Sequence, residues 1–123
     1  MILLWVMVAG GLGSGARYLI GLWAASAFGP AFPIGTLIVN LAGCFLLGFM
    51  APFTLSGGLS VEVRVAIGAG FVGGFTTYST FNQDTLLLFM GGAVGAAALN
   101  IVVTLLGGLA AGMMGLVAAR ALQ

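Results

Sequence analysis

The amino-acid sequence predicts an all-α integral membrane protein of four spanning helices, the third broken near its middle. Three observations carry that prediction. Hydrophobic residues make up 62% of the chain and charged residues 4%, with a mean hydropathy of +1.28. A water-facing surface needs roughly 25–35% charged residues, so the expected solvent is a bilayer. The chain has 123 residues, which at about 20 apolar residues per span gives four helices with tight connections. This is one membrane domain over 1–123, with no room for a catalytic or regulatory domain beside it. The third observation is the stretch GFVGGFTTYSTF, Gly70 to Phe81, which lies in an apolar segment yet resists an unbroken helix. Its glycines weaken the helix, and the hydroxyls of Thr76, Thr77, Ser79 and Thr80 compete for backbone partners. In lipid, an irregular backbone survives only where protein or a water-filled path satisfies its freed polar groups, so a break here points to an ion or substrate site.

The first helix is expected over about 2–28, ending at the turn made by Gly29, Pro30 and Pro33. Met1 is followed by neither a basic n-region nor a small-residue cleavage site, so it is expected to open a retained helix. Arg17 lies roughly 22 Å along the axis, near the far interface. It reads either as a snorkelling side chain or as a vestibule charge that attracts anions or fixes a loop. Gly10, Gly11, Gly13 and Gly15 leave one face thin enough for another helix to approach.

The second helix is expected over about 34–55. Its Asn40 sits among Leu, Ile and Val, where an amide is costly unless both its ends find partners, so it faces either another helix or a pore. Cys44, the only cysteine, reads as a small buried hydrophobe. The third helix is expected over 61–88 with its break at 73–77, and it starts at Ser60 and Glu62, acceptors suited to a helix N-terminus. Asp84 falls near the outer end of the second half-helix, as an interfacial carboxylate or a cap or ion-pair partner at a pore mouth. The fourth helix is expected over 93–119. Asn100 and Thr104 share one of its faces, a polar stripe that either hydrates a path or joins helices in an oligomer. The pairs Gly11/Gly15, Gly70/Gly74, Gly91/Gly95 and Gly108/Gly112 have the small-xxx-small spacing of close helix packing.

The net charge of +1 suggests no nucleic-acid partner. Without His, and with one Cys and two carboxylates, a transition-metal site or an acid–base pair has almost no ligands to draw on, and no His or Lys exists to activate a nucleophile. No enzyme is expected on those grounds. Arg64 and Arg120 fall on one side and Arg17 on the other, a feeble orientation signal that allows insertion both ways.

Three stretches together, GGLGSGARY (Gly10 to Tyr18), PIGTLIVNLAGCFLLG (Pro33 to Gly48) and GFVGGFTTYSTF, resemble the Fluc, or CrcB, fluoride channels of bacterial membranes. The resemblance implies an antiparallel, dual-topology homodimer in the inner (plasma) membrane bilayer, with two fluoride pathways. It also implies a central sodium ion that is not transported, held by the backbone carbonyls of Gly73 and Thr76 from each subunit. Carbonyls freed by a helix break suit so hard a cation. The pathway residues implied are Asn40, Ser79, Thr80, the aromatics Tyr78 and Phe81, and the track Asn100 and Thr104, with Arg17 in the vestibule. Tyr78 stands where the family has a phenylalanine, and Asn100 where its track often begins with a tyrosine. The function implied is passive fluoride export that lowers cytoplasmic fluoride toxicity. The alternatives are a small multidrug-type proton-coupled transporter, which needs a titratable group in the membrane that the first helix lacks, and a nonconducting assembly subunit, which leaves Asn40, Asn100, Thr104 and the break without a use.

Overall fold

The structure is a computed structural model and describes residues 1–122. It is helical throughout. Helix α1 runs over Ile2–Phe28, α2 over Ile34–Leu55, α4 over Tyr78–Met90 and α5 over Val94–Arg120. Between them α3 changes pitch twice, α-helical over Val61–Val65, π-helical over Ala66–Val72 and α-helical again over Gly73–Phe75. Helices α1, α2 and α5 are each long and apolar enough to cross a membrane. The segments α3 and α4 form the broken span between them.

The connections follow the local chemistry. After α1, Gly29 adopts φ 74°, a left-handed conformation open to glycine, and the prolines carry the chain into α2. Ser60 caps α3 by accepting from the Val63 N–H, as its position before Glu62 predicts. Gly91 and Gly92 turn the chain after Met90, two residues beyond the expected end, and α5 begins and ends one residue later than expected. The π-helical run was not foreseen. Its four smallest residues, Ala66, Gly68, Ala69 and Gly70, leave space for the wider turn, which the Gly73 N–H closes by donating to the Gly68 carbonyl five residues back.

Small residues let the helices meet backbone to backbone, the packing expected where lipid supplies no hydrophobic drive between helices. The most extensive contact joins α2 and α5. There a Cβ on Gly48 would run into the backbone of Gly112, and one on Gly115 into the Phe45 carbonyl. Helix α1 packs on α3 in the same way, with Gly13 against the Phe71 carbonyl and Gly70 against Val6 and Ala9. Of the four predicted glycine pairs, Gly70/Gly74 and Gly108/Gly112 lie at these contacts. Gly11, Gly15 and Gly95 meet no other helix of the chain, and Gly91 serves the turn. The interior is correspondingly narrow, centred on Val39, Val72, Phe75 and Phe81, while leucines, methionines and tryptophans cover the outside.

Candidate functional site

The helix breaks over two residues. Thr76 (φ −85°, ψ 160°) and Thr77 (φ −153°, ψ 115°) are extended, whereas Gly73 and Gly74, expected within the break, are still helical. The glycines serve packing instead, since a Cβ on Gly74 would strike the Gly10 carbonyl of α1. Two extended residues leave backbone groups without helical partners, and side chains from elsewhere satisfy several of them.

Asn40 supplies the largest share. Its Oδ1 accepts from the Thr77 N–H at 2.8 Å and its Nδ2 donates to the Thr77 carbonyl at 3.0 Å, so one amide closes both backbone valences of the same residue. Thr77 in turn caps α4. Its Oγ1 accepts from the Thr80 N–H at 3.1 Å, lies 3.0 Å from the Thr80 hydroxyl and shares a 3.2 Å hydrogen bond with Ser79. On the other side of the break Arg17 Nε donates to the Gly74 carbonyl at 3.0 Å, with the Ser14 hydroxyl at 3.4 Å from the same oxygen. A cation at a helix C-terminus is favourably placed against the helix dipole. Arg17 therefore lies level with the break.

These substitutions leave two carbonyls free. In a continuous helix the Gly73 carbonyl would accept from the Thr77 N–H, which goes to Asn40, and the Thr76 carbonyl would accept from the Thr80 N–H, which goes to Thr77 Oγ1. Neither oxygen accepts a hydrogen bond from the described residues.

The aromatic pair meets at the start of α4. The rings of Tyr78 and Phe81 have centroids 5.7 Å apart at 56°, with Tyr78 78% exposed and Phe81 7% exposed on the chain alone. Asn100 reaches the same helix through a residue absent from the sequence reading, Thr85. The Asn100 Nδ2 donates to Thr85 Oγ1 at 2.9 Å, and that hydroxyl donates to the Phe81 carbonyl at 2.8 Å. Thr104, half-buried one turn along α5, shares the face of Asn100 but not its bond. Asp84 is half-buried and accepts from the Thr36 hydroxyl at 2.7 Å, beside an open cavity of about 410 Å³ between α1, α2 and α4. A second cavity of about 220 Å³ is lined by Arg17, Tyr18, Thr36, Val39, Thr77 and Thr80.

The fold thus gathers Arg17, Asn40, Ser79 and Thr80, all expected from the sequence, at the break. Ser14, Thr36 and Thr85 are not marked by the sequence, and Thr77 is marked only as a hydroxyl that competes with the helix. Thr77 had a local signal, three residues before Thr80 at the spacing of an N-cap. The others become partners only through packing between helices.

Apolar spans around one broken helix, with neutral polar side chains and free carbonyls gathered at the break, define a polytopic membrane protein built round an interior polar site. The chain belongs to the CrcB-like family, described as CrcB-like protein, Camphor Resistance (CrcB), which it matches over residues 4–116. It is 52% identical to the fluoride-specific ion channel FluC of Anaeromyxobacter dehalogenans over 110 residues, 89% of this chain and 87% of that one. It is 44% identical to the protein of the same name from Rhizobium etli over 118 residues, 95% and 94% of the two chains. The corresponding protein of Sorangium cellulosum is 41% identical over 119 residues, 96% and 94% of the two.

Proposed function

We propose that this protein is a fluoride-selective ion channel that passively exports fluoride from the cytoplasm across the plasma membrane. Hydrogen fluoride diffuses inward, dissociates, and leaves as the anion, so that cytoplasmic fluoride toxicity falls. The observation that carries the reading is the likeness to relatives named for this activity along a match, residues 4–116, that contains the whole break. The chemistry of the break supports it. A small, strongly hydrated anion needs donors in place of water and no strong trap, and neutral amides and hydroxyls meet both needs. The pathway is assigned to Asn40, Tyr78, Ser79, Thr80, Phe81, Asn100 and Thr104, with Arg17 at its vestibule. The protein acts as a channel and not as an enzyme.

The assembly proposed is an antiparallel, dual-topology homodimer. Gly73 is exposed on the chain alone, and its carbonyl, like that of Thr76, has lost its helical donor. Such a pair from each of two subunits fits a sodium ion, which when bound would supply the positive charge that these oxygens lack. The coupled-transporter alternative receives no support from the family, and Asp84, the carboxylate of α4, is already engaged by Thr36.

The deciding experiment is fluoride release from liposomes holding the purified protein, with valinomycin and a potassium gradient to compensate charge. Rapid valinomycin-dependent release of fluoride with little release of chloride is expected. No release from folded protein overturns the proposal. In the same assay Phe81→Ile is expected to slow release about fivefold to tenfold, the equivalent of losing a ring-edge contact worth about 1 to 1.4 kcal/mol. Unchanged release would remove Phe81 from the pathway.

A further inference from the structure

Asn100 is 1% exposed, and the partner of its amide nitrogen is the Thr85 hydroxyl of the neighbouring helix at 2.9 Å. A hydroxyl has one proton, and that of Thr85 is spent on the Phe81 carbonyl at 2.8 Å. Thr85 therefore offers α5 lone pairs only. With that proton so placed, the end of the Asn100 amide that faces Thr85 is the NH2 group, since its C=O end would meet another acceptor.

This directionality matters at an anion pathway. An amide turned by 180° about its last torsion exchanges a donor for an acceptor, with opposite consequences for fluoride. A tyrosine, which the resemblance leads one to expect at this position, can turn its O–H to donate without moving its ring and needs no such control. An asparagine does. Its NH2 has two hydrogens, of which Thr85 takes one, so the second remains to donate. We infer that Thr85 is a positioning residue for conduction, holding the Asn100 amide with its NH2 end in place through the proton it gives to the Phe81 carbonyl. The inference rests on the fluoride-channel reading above.

The test compares Thr85→Val, which keeps the shape and removes the lone pairs, with Thr85→Ser, which keeps the hydroxyl. Release from liposomes is measured across a range of internal fluoride concentrations. Thr85→Val is expected to lower the maximal rate about tenfold, the effect of mis-setting one hydrogen bond to a charged group, and to raise the half-saturating fluoride concentration. Thr85→Ser is expected to restore both to within about twofold of the parent. The double variant Thr85→Val/Asn100→Leu leaves no buried amide unpaired and, set against Asn100→Leu alone, tests whether Thr85 acts through Asn100 even if Thr85→Val alone does not fold. Its release stays low if the Asn100 NH2 serves the anion. Recovery of the parent rate by the double variant reduces Thr85 to a partner for a buried amide and overturns the inference, as does parent-like release by folded Thr85→Val. Failure of the parent chain to release fluoride overturns the channel reading and this assignment together, whereas parent release with unaltered variants overturns this assignment alone.

Discussion

Asn40→Leu is expected to cut fluoride release at least about tenfold and to destabilise the protein by about 2 kcal/mol or more, since each buried polar group left unpaired costs about 1–3 kcal/mol. The reason is the double hydrogen bond to Thr77. Leucine has the size of asparagine and none of its polarity, so both the N–H and the C=O of Thr77 lose their partner at once. The freed N–H then has its ordinary helical acceptor, the Gly73 carbonyl, within the same segment. Closing that bond regularises the helix and removes one of the two unpaired oxygens. Release per folded protein and thermal unfolding in detergent measure the two effects separately. Asn40→Asp sharpens the distinction. A carboxylate still accepts from the Thr77 N–H but no longer donates to its carbonyl, and its charge opposes an anion, so it is expected to retain more stability than leucine while conducting no better. Parent-like release by folded Asn40→Leu would separate the break from conduction.

Gly115→Ala is expected to cost about 3 kcal/mol, at the upper end of what over-packing a tight interior usually costs. Here the new methyl group meets main chain, since besides the Phe45 carbonyl oxygen the Phe49 nitrogen lies 2.8 Å and the Phe45 carbonyl carbon 3.0 Å from its position. A flexible side chain could move aside, but a helix backbone cannot do so without carrying its helix with it, so α2 and α5 must separate along their most extensive contact. Gly95→Ala is the matched control. No atom outside its own helix lies within 4 Å of the added carbon, and alanine is the better helix former, by less than about 1 kcal/mol in the first turn, so stability is expected to hold or rise. Equal unfolding temperatures for the two variants would show that the α2–α5 contact tolerates expansion.

The spans were legible because length and apolarity are local properties. Gly29 and Gly91 end helices where the sequence says they should, and only the last one or two residues of the boundaries differ. The break was legible in existence but not in execution. Gly73 and Gly74 carry the strongest intrinsic signal against a helix, yet they stay helical, because contact with α1 rewards the missing Cβ. Thr76 and Thr77 open instead, held by a side chain 37 positions earlier in the chain. No window of sequence contains both partners. The same limit applies to Asn100, whose polarity marked it at once while its connection to Thr85 depends on how α4 lies on α5. The π-helical run is the least legible feature, since small residues permit it but equally permit an ordinary helix.

The bond from Arg17 to the Gly74 carbonyl sets an order of events during synthesis. The two residues are 57 positions apart, and at 5–20 residues per second the ribosome needs roughly 3 to 11 seconds to make the second after the first. For that interval the first span of a nascent chain holds a guanidinium whose carbonyl partner does not yet exist. A charge within a span disfavours insertion, by up to about 2.5–3.5 kcal/mol where it lies at the centre. The earliest helix is thus held in the bilayer less securely than the finished protein would suggest, and it gains its anchor only when the third span arrives. Released chains truncated before residue 74 should lose α1 from membranes under alkaline extraction far more readily than released chains that include the whole third span.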